Sequence, residues 1–207
     1  MPTSPPLTSA EVAEIIVRRD PAFGPVIKRL GYVALPRSAP VATRFPHLVA
    51  SITHQLLATK AAATIHSRVV HLCGGDVCVE SVLATGVNGL REAGISRTKA
   101  QAMVHLAEHV ADGRVRLGAH GRMSDVDVTR ELTVVPGIGP WTAHMYLMFT
   151  LARRDVWPSG DLGVRRGWSV AHGLDEMVTE RELRDAGESF EGVRSAVAHY
   201  CWAVADQ

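Results

Sequence analysis

At 207 residues the chain has room for one sizeable core, or for two small lobes sharing a cleft, and none for large accessory domains. Hydrophobic residues at 46 % and charged residues at 21 % are ordinary globular values, which excludes a disordered, collagen-like or disulfide-framework chain. The net charge of +1 falls short of the strongly basic footprint of many nucleic-acid binders, so charge alone points to no polyanion.

The first predicted element is a helix from Thr8 to about Asp20. Thr8 and Glu11 form a capping-box pattern ahead of Val12, Ile15 and Ile16, and Pro21 follows the end. A second helix is expected from Ala22 to Leu30, stopped by Gly31, and a Pro-rich connector from Leu35 to Pro46 comes next. From Phe45 the residues Leu48, Val49, Ile52, Leu56 and Leu57 keep helical spacing, continued by Ala61 to Leu72 up to Gly74 and Gly75. Short helices over Val79–Thr85 and Asn88–Ala93 precede a longer one over Ser96–Ala111. That one is capped by Ser96 and striped by Met103, Leu106, Ala107 and Val110. Asp125–Val134, Trp141–Leu151, Leu162–His172, Thr179–Ala186 and Glu188–Ala205 complete the set. No run alternates with period two over a strand length, so the expectation is an all-α chain with no internal repeat.

Cys73, Cys78 and Cys201 form no CxxC pair and stand apart from histidine clusters, which reads as thiols in a reducing compartment rather than a zinc site. The start, MPTSPPLTSA, has neither a basic nor an apolar signal region, and no run of about 18 apolar residues occurs. A soluble, cytoplasmic protein without membrane contact is expected.

The most informative stretch is Leu132 to Ala143, a helix end, a Pro136-Gly137-Ile138-Gly139 turn and a new helix starting near Pro140. Glycines there allow tight turning and close approach, and Pro140 suits a first helical position. Amides at such a helix start, including that of Thr142, can face a phosphate oxygen without reading base sequence. Downstream, in Trp157-Pro158-Ser159-Gly160-Asp161-Leu162, Asp161 opens another helix 22 residues after Gly139. With these residues the sequence resembles the helix-hairpin-helix DNA glycosylases, and among them the DNA-3-methyladenine glycosylase II group. Similarity extends to Arg19-Asp20-Pro21, to His54-Gln55-Leu56-Leu57-Ala58-Thr59-Lys60, to Ala93-Gly94-Ile95-Ser96-Arg97-Thr98-Lys99, and to Arg194-Ser195 with Tyr200-Cys201-Trp202.

The resemblance implies two helical lobes with the hairpin and an active-site cleft between them. One lobe would span about 45–135, the other about 8–44 plus 136–207, with no N-terminal α/β accessory domain. It implies base-excision repair, in which a flipped N-alkylated purine such as 3-methyladenine or 7-methylguanine is hydrolysed from double-stranded DNA by a monomeric enzyme. Asp161 is the implied catalytic carboxylate. Beside C1′ it would stabilise oxocarbenium-like charge or position water, a role that suits a helix N-terminus; a plain N-cap is the other reading. Trp141 and Trp202 match pocket positions, where an aromatic face would hold a cationic base. Met145, four residues from Trp141, stands where some members carry tyrosine and implies a wider, softer pocket.

Lyase-capable relatives carry a lysine where this chain has Trp141, so no β-lyase chemistry is implied. Lys60 and Lys99, the two lysines besides Lys28, are expected to face solvent or phosphate. With only Cys201 behind Asp161, no iron–sulfur cluster is implied. The Gln55-Leu56 loop would enter the minor groove with Leu56 as the wedge filling the vacated stack, core burial of Leu56 being the alternative. Backbone carbonyls of Thr133, Val135 and Ile138 would hold a Na+ or K+ ion beside a phosphate, with no other cofactor. A non-catalytic hairpin module and a bifunctional glycosylase-lyase are the competing functions.

Overall fold

A computed structural model describes residues 7–34, 36–57 and 59–205. The first six residues, Leu35 and Ala58, on which parts of the sequence reading fell, lie outside the described residues. All regular structure among the described residues is helical: eleven α-helices, two 3₁₀ turns and one π turn. The chain divides into two compact units, residues 1–36 with 152–207, and residues 37–151.

In the discontinuous unit, α1 (Ser9–Arg19) starts at the Thr8–Glu11 capping box, and α2 (Phe23–Leu30) ends at Gly31. The 37–151 unit is built around α3 (Val41–His54), whose Leu48, Val49 and Ile52 are fully buried. α3 packs on α4 (Thr59–Leu72), α6 (Arg97–Ala111) and α8 (Pro140–Met145). α5 (Val79–Glu92) packs against α6 and is kinked at Gly86, so the two short helices expected there are joined end to end. Ser96 caps α6 as expected; Val110 is only half-buried, and His109 takes the buried place. α7 (Asp125–Thr133) leads into the hairpin and α8, and a π turn over Tyr146–Thr150 continues α8.

Three departures from the sequence reading occur around α3 and α8. The connector is shorter than expected, because α3 begins at Val41 and carries Pro46 inside it. Burial of Arg44 and Phe45 in that first stretch outweighs the missing proline N–H. The helical run through Leu56 and Leu57 is also broken: Gln55 leaves α3 with ψ 125°, and Leu56 has φ 54°. Finally, the unit boundary falls after Leu151, not near residue 135, since α8 packs on α3 and α7 and the π turn packs on α3.

The discontinuous unit continues with α9 (Leu162–Ala171), α10 (Glu180–Ala186) and α11 (Arg194–Ala205). The helix expected over Glu188–Ala205 is split, a 3₁₀ turn over Gly187–Phe190 and Gly192 at φ 85° preceding α11. α9 and α11 lie in close contact because Gly163 and Gly167, one turn apart, present no side chain to α11. A Cβ on Gly167 would collide with the backbone of Cys201. Phe23, Trp168, His172 and Phe190 fill the core edge to face, with the Trp168 and His172 rings stacked at 4.2 Å.

Candidate active site and DNA-binding surface

Asp161 is the N-cap of α9, with Oδ1 accepting the Val164 N–H at 2.8 Å. The same oxygen accepts the indole N–H of Trp202, also at 2.8 Å. A Cβ at position 163 would lie 2.8 Å from Cδ1 of Trp202 and 3.2 Å from Oδ1 of Asp161, so glycine there is the condition for this contact. The carboxylate is half-buried and held by two donors from two helices. Cys201, next to Trp202, is fully buried, and burial pushes its thiol far above the ordinary range, so it is no nucleophile at neutral pH.

In the other unit, the hairpin has the expected Pro-Gly-Ile-Gly course. Ile138 N–H closes the turn on Val135 O at 3.0 Å, and the side chains of Val135 and Ile138 are buried beneath it. Gly137 has φ 91°, and a Cβ there would sit 2.5 Å from Cβ of Ala102, so both backbone and packing demand glycine. Gly139 differs: its backbone is extended (φ −101°, ψ 179°) and a Cβ would meet nothing within 4 Å. The structure itself puts no demand on that glycine, which leaves open space over the N-cap of α8. Pro140 is the first residue of α8, as expected.

The side chain of Thr142 is buried, and its Oγ1 accepts the amide of Gln55 at 2.8 Å. Gln55 Nε2 also donates to Gly137 O at 3.2 Å, which ties the loop after α3 to the hairpin. Leu56 projects beside it with 103 % of its reference area exposed, which overturns core burial. Lys99, expected at solvent or phosphate, instead donates through Nζ to Thr53 O at 2.8 Å and Gln55 O at 2.5 Å.

Trp141 and Met145 line one cavity of about 510 Å³ together with His47, Ser51, His54, Leu57 and Phe149. His54 Nδ1 lies 2.8 Å from Ala50 O, so this nitrogen carries the proton that bonds the carbonyl. His47 Nδ1 pairs with Thr150 Oγ1 at 3.2 Å. The sequence marked neither histidine nor Phe149 as a pocket residue. Spacing from Trp141 and Met145 would have found Phe149, but the histidines lie on α3, nearly a hundred residues away.

The sequence pattern of the HhH-GPD superfamily base excision DNA repair proteins matches residues 49–191. The chain belongs to this superfamily. It is 28 % identical over 200 residues to DNA-3-methyladenine glycosylase 1 of Schizosaccharomyces pombe, covering 95 % of this chain and 88 % of that protein. Among solved structures it is similar to the S. pombe 3-methyladenine DNA glycosylase in complex with abasic DNA. There the TM-score is 0.86 and the identity 27 %, over 92 % of this chain and 94 % of that one. A DNA-3-methyladenine glycosidase from Bacillus halodurans superposes with TM-score 0.78 at 33 % identity, over 94 % and 88 % of the two chains.

Proposed function

We propose that this superfamily member is a monofunctional DNA glycosylase for N-alkylated purines, acting as a monomer on duplex DNA and leaving an abasic site. The observation that carries the reading is Asp161, whose carboxylate is pinned by the Val164 N–H and the Trp202 indole N–H. Breaking the N-glycosidic bond sends its electron pair to the departing base and builds positive charge on the sugar at C1′. A carboxylate already fixed in place stabilises that charge without reorganising during the reaction. Water then adds to C1′, its proton passing to the carboxylate or to solvent.

Alkylation at N3 or N7 makes a purine cationic, so a weakly acidic site suffices for its departure. 3-Methyladenine and 7-methylguanine are the substrates this chemistry suits, and the indole of Trp141 in its cavity would hold such a ring by stacking and cation–π attraction. The names of the S. pombe and B. halodurans relatives, and the abasic DNA bound to one of them, support the same reading. Trp141 offers no amine for a Schiff base, which favours hydrolysis over strand cleavage. On the DNA side, Leu56 would fill the vacated stack, and the N-cap of α8 over Gly139 would take a phosphate. The carbonyls of Thr133, Val135 and Ile138 are neutral oxygen donors suited to Na+ or K+, which would compensate that phosphate's charge. Val135 O keeps one lone pair for this beside its bond to Ile138.

The test is release of free base from methylated duplex DNA, followed by chromatography. Wild-type protein is expected to release methylpurines, and D161N to lose at least about 10³-fold in rate while still binding DNA. Unchanged turnover by D161N would sink the mechanism. Binding without release by the wild type would mean a hairpin module, and a borohydride-trapped covalent adduct would mean a lyase.

A further inference from the structure

Lys99 lies in the first turn of α6, where its own N–H is capped by Ser96 Oγ at 3.2 Å. A cation at a helix N-terminus opposes the helix dipole, so α6 gains nothing from this charge. The ammonium instead reaches the C-terminus of α3, where carbonyls lack helical partners and a cation is favoured, and binds Thr53 O and Gln55 O.

The backbone just beyond those carbonyls is unusual. Helices commonly leave through a left-handed glycine, but here that conformation is taken by Leu56, with φ 54°. The Cβ of a leucine crowds the backbone in that region, a steric cost that glycine avoids. Its side chain is wholly exposed and so contributes no packing to hold the backbone there. The restraint comes from the preceding residue: Lys99 holds the carbonyl of Gln55, while Thr142 Oγ1 and Gly137 O hold its side-chain amide.

We propose that Lys99 is a positioning residue, which clamps the carbonyls of Thr53 and Gln55 so that Leu56 stands erect for insertion into the DNA stack. This rests on the reading of Leu56 as the wedge. Lys99 touches neither the base nor the sugar; it sets the angle at which the loop meets the duplex. Methionine preserves the length of the side chain and removes every donor, whereas arginine preserves charge and donors.

The experiment measures single-turnover release of 7-methylguanine from two duplexes. In one the lesion is paired with cytosine. In the other it sits in an unpaired bulge, where less pairing energy opposes flipping. K99M is expected to slow release from the paired site about tenfold and from the bulge less than about twofold, with K99R restoring most of the loss. L56A should show the same contrast, and K99M should add less than about twofold to L56A, since both act on one step. Equal slowing at both sites, or full additivity with L56A, would overturn the proposal and leave Lys99 a structural support. Should K99M fail to fold, K99Q replaces it in the same comparison. If L56A releases from the paired site at the wild-type rate, the wedge reading falls and this inference with it. No release by the wild type from either duplex would instead overturn the glycosylase reading.

Discussion

Trp202 and Gly137 show how much a single residue decides. The indole N–H of Trp202 holds Asp161 Oδ1 at 2.8 Å, and the ring sits where Gly163 leaves room for it. W202F keeps an aromatic ring, smaller than the indole, and removes the donor. Single-turnover base release should fall about tenfold with DNA affinity unchanged, and an unaltered rate would show that the carboxylate is oriented without the indole donor. At Gly137, alanine meets two obstacles, φ 91° and the Cβ of Ala102 at 2.5 Å. G137A should lower stability by about 2–4 kcal/mol, read as a drop in denaturation midpoint. The same substitution at Gly139, extended and unobstructed, should leave stability within about 0.5 kcal/mol and weaken only DNA binding.

Among the elements, α3 carries the most. Its buried face organises the 37–151 unit, its first half lends His47 to the cavity, and its end presents Leu56. Pro46 interrupts its hydrogen-bond ladder at a position where alanine would restore an N–H. P46A is expected to stabilise the protein by about 1–2 kcal/mol, visible as a higher melting temperature; a lower one would mean that the proline ring contributes packing the helix needs. Helix boundaries read from capping patterns hold well at α1, α6 and α9, because Thr8, Ser96 and Asp161 each bond an amide of their own first turn. They fail where distant packing intervenes, at the start of α3, at its broken end and in the π turn after α8.

At the scale of the whole molecule, pH should control stability through buried histidines. His120 is enclosed, its Nδ1 3.1 Å from Tyr146 OH and its Nε2 3.0 Å from Glu131 Oε1. Burial lowers its pKa from the ordinary 6.5, and the attraction of Glu131 does not make up the difference. Burial also lowers His66, His144 and His199. Groups depressed in the folded state bind more protons when unfolded, so their stability is complete above pH 6.5 and lost as pH falls below it. For Glu131, burial would raise the carboxyl, but hydrogen bonds from Arg116 and His120 outweigh it and leave it below the usual range, which adds a second loss at lower pH. The melting temperature should therefore fall between pH 7 and pH 5, and fall less steeply in H120N. A flat profile over that interval would contradict the assignment.

Helical class, the hairpin and Asp161 were legible in the residues because each leaves a local mark: a 3.6-residue stripe, a glycine pair ahead of a proline, a capping residue before a helix. Near-neutral charge was no guide, since a hairpin that offers backbone amides needs little net positive charge. The partners of these residues were not legible. That Trp202 grips Asp161, that Gln55 is bonded to Thr142, and that Lys99 serves α3 rather than its own helix all depend on contacts 41 to 87 positions apart in the chain. Local propensity carries no record of such pairs. They exist because packing of the buried faces brings the ends of separate helices together, and only there do the unpaired carbonyls and amides of one helix find the side chains of another.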